Sequence, residues 1–467
     1  MLATDTIVAL STPVGESALA LIRLSGSLCP EIESAITGRK NPLKPRQATL
    51  CKYLDINGLE IDQGVFIAYP EKGSFTDEAM LEIMPHGNPL IIQKLLEDLI
   101  ARGCRMAEPG EFTRRAFLNG KIDLSQAEAV ADIIHARSNF SLEVARRQLN
   151  GSIGHKMSEL TDQLLGILAE LEAYIDFPEE DLPEASDAGP MQDLKRLIKA
   201  VDRLIETNHY SALLQEGIKT VIIGAPNAGK SSLINTLVGS QRAIVSDIPG
   251  TTRDFITSYI MLKDYRVEII DTAGLHTAED AIELQGIEKT MELAQNADFY
   301  LVIVDHSEPS PSLPESIHSV FKAENTLVIE NKQDLKSTNS HKDFLAECQH
   351  CPISLKTHSG IEALKSSMLK LIDQGIALPK GNDAIVLNAR HTAALKHARE
   401  SLAKASEAID NQELSELVAV ELRSAIEGFS QVVGKIDNEA MLDKLFQKFC
   451  IGKWVKIPYS NSIKNMT

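Results

Sequence analysis

The sequence predicts a multidomain α/β chain: an α+β domain, then an α-helical domain interrupted by a self-contained strand–loop–helix domain. Three observations carry this expectation. Residues 219–254 pass from an apolar β-branched run through a glycine loop into a helical run. Helical pattern stands on both sides of that stretch, and residues 1–120 mix strand-length apolar runs with helical ones. The expected divisions are 1–120, 121–215, 216–378, 379–453 and an atypical tail at 454–467, within a chain of 467 residues that has room for several cores.

In the first segment, Thr6-Ile7-Val8-Ala9 and residues 18–24 read as strands around a Thr12-Pro13-x-Gly15 turn, with more strands at 64–69 and 79–83. Helices fit residues 29–36 and 89–102, the latter because Leu90, Ile92, Leu95, Leu96 and Leu99 recur near the helical period. Two features exceed what packing needs. Glu82 sits inside an apolar strand, and Pro109-Gly110-Glu111-Phe112 runs straight into Arg114-Arg115. Taken singly, charges such as Arg23, Glu82 and Arg114 are more often solvated surface groups than parts of a site. The residues alone name no ligand.

Ser125-Gln-Ala-Glu128 has the spacing of a capping box. From there to about Tyr174 the pattern is helical, and Ile153, Met157, Leu160, Leu164, Ile167, Leu171 and Ile175 mark one face, the seam of a bundle. Pro178 and Pro183 break it, and a second helix is expected at 191–208. Helical pattern returns at 384–409 and 414–433. The domain between would sit in a loop of one helical bundle, so that its motions strain the bundle directly.

The interrupting domain carries the chemistry. Val221-Ile222-Ile223 reads as a buried strand, and Gly224 to Ser231 is a full G-x-x-x-x-G-K-[ST] phosphate loop feeding a helix at 232–238. Gly224 and Gly229 let the backbone curl so that the N–H groups of Asn227, Ala228 and Gly229 face phosphate, and the helix start at Ser231-Ser232 is electropositive. Lys230 spans the terminal phosphates, and Ser231 supplies a hydroxyl to Mg2+. Four signals follow, three of them at strand ends. Gly250-Thr251-Thr252 offers a threonine hydroxyl to Mg2+ from a switch loop, and Asp271-Thr272-Ala273-Gly274 offers an aspartate to the Mg2+ shell and an N–H to the γ-phosphate. Asn331-Lys332-Gln-Asp334 provides a carboxylate for the two guanine N–H donors, a pair that adenine lacks, and Ser354-Leu355-Lys356 covers the guanine O6. In this order they describe a Ras-like GTPase domain.

Leu275 departs from the Ras-type pattern, which places a glutamine there to orient the attacking water. Leucine cannot, so another group must; Glu279, Asp280, Glu283 and Glu288 are the candidates from the residues alone. No arginine finger is identifiable, and Asn227 is placed to help bind a monovalent cation that supplies the missing charge.

Composition is that of an ordinary soluble chain, 43% hydrophobic and 24% charged. A net charge of −18 disfavours a nonspecific nucleic-acid coat or an anionic membrane surface, so an RNA partner would need a local basic patch. The six cysteines are scattered, which argues against a disulfide framework, and Cys348-Gln-His-Cys351 is a lone C-x-x-C with no second pair. The start has neither a basic region nor a long apolar run, so no signal peptide or membrane span is expected and the protein is placed in the cytoplasm.

Over residues 4–453 the chain resembles the MnmE (TrmE) family of tRNA-modification GTPases. The likeness rests on DTIVA, PGEFTRRAFLNGKIDLSQAEA, IDFPEE, GAPNAGKSSL, DIPGTTRD, DTAGL and Phe449-Cys450-Ile451-Gly452-Lys453. It implies a homodimer whose N-terminal α+β domains bind a 5-formyl- or methylene-tetrahydrofolate. With a flavin- and NADH-using MnmG (GidA) partner, in a heterotetramer, such proteins add a carboxymethylaminomethyl or aminomethyl group to C5 of the wobble uridine of tRNA. By the same resemblance the folate contacts are Arg23, Glu82, Lys121 and Lys453. Potassium is held by Asn227, Ser246, Ile248 and Thr251, with Asp247 also at the nucleotide; Mg2+ uses Ser231 and Thr252. The water-orienting catalytic residue matches Glu283, and potassium-dependent pairing of two G domains completes the site. Cys450 is a candidate for a role in the modification or simply a buried thiol. His276 and Leu355 depart from the usual family residues without weakening the likeness, and residues 454–467 extend past where such chains end. The competing class, a ribosome-assembly GTPase switch, would carry a basic RNA-binding appendage that the sequence does not show.

Overall fold

The computed structural model describes residues 5–176, 190–239, 257–271, 297–311, 318–336, 341–375, 385–411 and 415–434. They belong to two compact units. The first comprises residues up to 131, 149–158 and the described chain from 430 onward. Its centre is a six-stranded sheet of β1 (Ile7–Leu10), β2 (Ile22–Ser25), β3 (Thr49–Leu54), β4 (Glu60–Tyr69), β5 (Met80–Met84) and β6 (Arg105–Met106), ordered β3-β4-β5-β2-β1-β6. Only the β1–β6 pair is parallel.

Two helices, α1 (Cys29–Thr37) and α2 (Pro89–Ala101), share one core with the sheet, in which Ile22, Leu24, Phe66, Leu81 and Ile83 meet Ile32, Ile36, Ile92, Leu95 and Leu99. The start of α2 is set by sequence: Asn88 caps it by accepting from the Leu90 N–H at 2.9 Å, with Pro89 at the first helical position. Because side chains alternate along a strand, the residues between these core positions, Arg23 and Glu82 among them, lie on the opposite face. That face receives α3 (Glu111–Leu118), entered through Gly110 at φ +68°.

Several expectations are corrected here. The strand expected at 18–24 begins only at Ile22, because residues 17–20 instead hydrogen-bond to Pro85 and Gly87. The edge strand β3 was not foreseen, as Lys52 interrupts a short run that leaves Leu50 exposed. The capping box lies two residues earlier than Ser125 and Glu128: Asp123 accepts from the Gln126 N–H at 2.8 Å, and Gln126 accepts from the Asp123 N–H at 3.0 Å. Ser125 is buried in the first turn of α4 (Leu124–His135), its hydroxyl on Asp123. The long helical run is three helices, α4, α5 (Asn139–Leu149) and α6 (Ser152–Asp176), separated at 136–138 and at 150–151, where Gly151 takes φ +87°. The seam of α6 is as expected as far as Ile167, with Ile153, Met157, Leu160, Leu164 and Ile167 buried, while Leu171 is half-buried and the Ile175 side chain lies outside the described residues.

The second unit comprises residues 132–148 and the described residues of 159–429. Its helices include α7 (Pro190–Glu206) and α8 (His209–Glu216), where one helix was expected at 191–208. Its sheet consists of β7 (Ile218–Gly224), β8 (Thr257–Leu262), β9 (Tyr265–Asp271), β10 (Phe299–Asp305), β11 (Thr326–Asn331) and β12 (Gln349–Pro352), ordered β12-β11-β10-β7-β9-β8. All neighbours are parallel except β8 and β9. Two helices, α9 (Lys230–Gly239) and α10 (Ile361–Gly375), place Leu233, Ile234, Leu237, Leu364 and Met368 in a core with Ile222, Ile269, Leu301, Ile303, Leu327 and Ile329. Strand order reverses at β7, with the later strands β9 and β10 on its two sides, so the loop after β7 opens into a crevice at the strand ends.

Chain from before and after this sheet is tied together by α11 (Ala389–Asp410) and the residues leading to it. Arg399 reaches Asp202 of α7 at 3.1 Å, the Leu387 N–H donates to Thr207 at 3.2 Å, and Gln148 donates to the Val386 carbonyl at 2.8 Å. Gly428 of α12 (Ser415–Val433) lets that helix press on α11, since a Cβ there would lie 2.8 Å from the Ala398 Cβ.

Candidate nucleotide site

The crevice is lined by loops after β7, β11 and β12. The first, Ala225 to Gly229, turns through two left-handed residues, Asn227 at φ +60° and Gly229 at φ +110°. Gly224 and Gly229 are both required by close approach, and Gly229 by conformation as well. A Cβ on Gly224 would strike the Ile303 carbonyl of β10, and one on Gly229 would strike the side-chain amide of Asn331. Lys230 opens α9 nearly buried, its ammonium donating to the Gly224 and Ala225 carbonyls at 2.7 and 2.9 Å. The ammonium is thereby held over the loop. Ala228 is buried beneath it, whereas Ser231 and Ser232 are exposed on the first turn of the helix.

Asn331, 3% exposed, joins the three loops. Its amide nitrogen donates to the Ala228 carbonyl at 2.8 Å, and its amide oxygen accepts from the Leu355 N–H at 3.2 Å. Lys332 takes φ +65° and pairs with Asp305, at the end of β10, at 2.5 Å. Asp305 also accepts from the Ser307 backbone and hydroxyl at 2.9 and 2.7 Å. Burial alone would raise the Asp305 carboxyl; the Lys332 and Ser307 hydrogen bonds outweigh it and hold the carboxyl below its usual range. Asp334 accepts from the buried Ser354 hydroxyl at 2.7 Å, with Lys356 at 4.0 Å, and the Ser354 bond chiefly lowers its pKa. An ionised carboxylate is thus fixed between the loops after β11 and β12, an acceptor able to take paired N–H donors.

The structure therefore brings Asn227, Ala228, Gly229, Lys230, Ser231, Ser232, Asn331, Lys332, Asp334, Ser354, Leu355 and Lys356 to adjoining loops. Asp271 ends β9 with its backbone paired to Ile222 of β7. Ser246, Asp247, Ile248, Gly250, Thr251, Thr252, Thr272, Ala273, Gly274, Leu275, Glu279, Asp280, Glu283, Glu288, Cys450, Lys453 and the 454–467 tail lie outside the described residues. Cys348 and Cys351 are buried free thiols, raised by burial. Among the described residues no cluster of three or more His, Cys, Asp or Glu is arranged to hold a metal.

In the first unit, Arg23 and Glu82 face each other across β2 and β5 and form a two-pronged pair at 2.9 and 2.7 Å. Glu82, 9% exposed, also accepts from the Tyr69 hydroxyl at 3.0 Å, and burial together with that bond raises the tyrosine pKa. The Arg23 guanidinium lies 5.7 Å from the Phe75 ring and 5.9 Å from the Phe112 ring. Lys121 donates to the Ser74 carbonyl at 2.5 Å, so the loop carrying Phe75 touches both Arg23 and Lys121. Phe112 belongs to the Pro109–Phe112 run noted in the sequence, whereas Tyr69, Phe75 and Asp305 were not singled out from sequence. Their places depend on strand register and loop packing, which no local motif records.

Beneath this face a charged network holds α3. Arg115, 5% exposed, pairs with Asp5 at 2.8 Å, Glu78 at 3.0 Å and Glu111 at 3.1 Å. Arg105 pairs with Asp5 and Glu111, each at 2.7 Å. The Arg105 bond leads in lowering the Asp5 pKa; for Glu111, burial acts upward but the two arginines and the Glu108 N–H outweigh it.

Two family models match the chain: one described as the MnmE helical domain over residues 124–450, the other as the N-terminus of GTP-binding protein TrmE over residues 6–121. The tRNA modification GTPase MnmE of Opitutus terrae is 45% identical over 452 residues, 96% of this chain and 99% of that one. The proteins of the same name from Aquifex aeolicus and Akkermansia muciniphila are 37% and 40% identical over 450 and 453 residues, covering 96% of this chain and 100% and 99% of theirs. With one family model spanning most of its length and relatives aligned end to end, the chain belongs to the MnmE family of tRNA modification GTPases.

Proposed function

We propose that this chain binds and hydrolyses GTP as the GTPase subunit of a tRNA wobble-uridine modification complex, which adds a carboxymethylaminomethyl or aminomethyl group at C5. The observation that carries the nucleotide reading is Asn331, which ties the phosphate loop to the base-reading loops while Ser354 fixes the Asp334 carboxylate. The carboxylate accepts the two guanine N–H donors, the Leu355 and Lys356 backbone covers O6, and Lys230 meets the terminal phosphates.

The loop suits a phosphate, since two left-handed residues curl it at the start of a ten-residue helix. Ser231 and Thr252 would hold Mg2+, which neutralises phosphate charge. Asn227, Ser246, Ile248 and Thr251 would hold K+ in the role of a finger arginine, and Glu283 would orient water in place of the residue that Leu275 cannot supply. Pairing of two G domains in a homodimer completes this arrangement.

The Arg23–Glu82 face suits a flat heterocycle rich in N–H groups, having a nearly buried carboxylate and a guanidinium 5.7 and 5.9 Å from two phenyl rings. We assign it to a 5-formyl- or methylene-tetrahydrofolate, with Lys121 and Lys453 at the same site; the folate supplies the one-carbon unit. The bonds from α11 and its approach back to α7 and α5 support a GTPase domain inserted in a helical domain, at residues 216–378 between 121–215 and 379–453, after a folate-binding, dimerising domain at 1–120. The implied partners are a second copy, an MnmG-type flavin protein and tRNA. Among the described residues no helix is long and apolar enough to cross a membrane, and we place the protein in the cytoplasm. Mass spectrometry of tRNA from cells lacking the gene should show the wobble uridine without its C5 group, restored by the wild-type gene. Unchanged modification would overturn the reading.

A further inference from the structure

We propose that Asp305 is a positioning residue for base recognition: its carboxylate holds Lys332 in the left-handed turn that carries Asp334 to the base. This rests on the guanine reading of the site and adds to it a residue outside the recognition motif. The end of β10 brings Asp305 level with Asn331 of β11. The Asp305 carboxylate is divided between two tasks. One oxygen accepts both Ser307 donors, which fixes its orientation, and the other receives the Lys332 ammonium at 2.5 Å.

Lys332 needs such an anchor. A φ of +65° is disfavoured for any residue with a Cβ, and here it lies between Asn331 and Asp334, two side chains with fixed and different destinations. The turn reverses the chain after β11. The His306 N–H donates to the Asn331 carbonyl at 2.9 Å, the Leu335 N–H to the Lys332 carbonyl at 3.0 Å, and the Gln333 N–H to the Ile353 carbonyl at 3.1 Å. Asp334 then meets the Ser354 hydroxyl. With the Asp305 charge removed, Lys332 keeps its strained backbone but loses the ion pair that offsets the strain. The turn relaxes toward the right-handed region, and the Asp334 carboxylate shifts from the pair of base donors. Of the two contacts, the one to the exocyclic amino group is lost by misalignment, so discrimination falls together with affinity.

The test compares GDP with IDP, whose base lacks the 2-amino group, on the full-length protein by competition against a fluorescent GDP. Asp305→Asn retains an acceptor for Ser307 but not the charge. It should weaken GDP about tenfold, the scale of one charge-assisted hydrogen bond, and IDP distinctly less, narrowing the GDP/IDP ratio. Ser307→Ala, which leaves the charge but loosens it, should narrow the ratio in the same direction by a smaller factor, and it serves if Asp305→Asn does not fold. Lys332→Gly takes the turn without strain, so adding Asp305→Asn to it should change the ratio no further. Equal loss of GDP and IDP, an unchanged ratio in both single variants, or full additivity with Lys332→Gly would overturn the proposal. Failure of the guanine reading itself is distinguishable, because wild-type protein would then not prefer GDP to ADP.

Discussion

Replacing Asn331 by alanine tests whether one buried amide holds the nucleotide crevice together. The side chain makes two hydrogen bonds, to the Ala228 carbonyl at 2.8 Å and from the Leu355 N–H at 3.2 Å, and it is almost wholly buried. Each bond contributes about 1 kcal/mol net, and each buried backbone partner left unmet costs about 1–3 kcal/mol, so with partial rehydration the loss is about 2–4 kcal/mol. The loops touch at this amide, since a Cβ on Gly229 would strike the Asn331 side-chain nitrogen. The loss should divide between the free protein, as a lower melting temperature, and the complex, as weaker GDP binding. If it falls wholly on binding, the affinity drops roughly 30- to 1,000-fold. Asn331→Asp should do no better than alanine, since an ionised carboxylate has no donor for Ala228 and is repelled by its carbonyl. Titration of GDP and thermal melts with and without nucleotide measure both parts. An affinity within threefold of wild type with an unmoved melting temperature would refute the reasoning.

Two further outcomes are expected. Arg115→Met should destabilise the first unit by about 3 kcal/mol at neutral pH, the low end for breaking a buried pair because Arg105 still serves Asp5 and Glu111. Since the folded-state pKa values of Asp5 and Glu111 are lowered, their stabilisation is complete above the ordinary carboxylate range near pH 4 and is lost as pH falls through the folded values. Denaturant melts from pH 7 to 3 should therefore show the wild type losing stability steeply only below about pH 4 and the variant losing less there; parallel curves would contradict the network. Glu283→Ala should abolish most GTP turnover while GDP affinity stays near wild type, and lost binding would instead make Glu283 structural.

How much could be read in advance follows from how local each feature is. The phosphate loop was legible because strand, glycines, lysine and helix are contiguous, and β7 and α9 begin and end close to where that run predicts. The α6 seam was legible for the same reason, a single periodicity along one helix. Glu82 could be recognised as out of place in an apolar strand, and the family resemblance grouped it with Arg23, but their ion pair spans 59 residues and becomes visible only through the β2–β5 register. Asp305 was passed over because it ends an unbroken apolar run and meets Lys332 only through the parallel pairing of β10 and β11. The misplaced capping box has a different origin. Asp123–Gln126 and Ser125–Glu128 both satisfy the spacing, and burial of Ser125 decides between them.

The central claim, that Asp334 reads guanine in a crevice assembled by Asn331 and the phosphate loop, is tested most directly by nucleotide competition. Asp334→Asn replaces an acceptor pair with one acceptor and one donor, which suits xanthine, whose C2 carbonyl stands where guanine has its amino group. Binding of GDP, ADP and XDP to wild type and variant should show GDP far ahead of the others on the wild type and XDP overtaking GDP on Asp334→Asn. Comparable binding of ADP and GDP by the wild type, or a variant that still prefers GDP, would contradict the account.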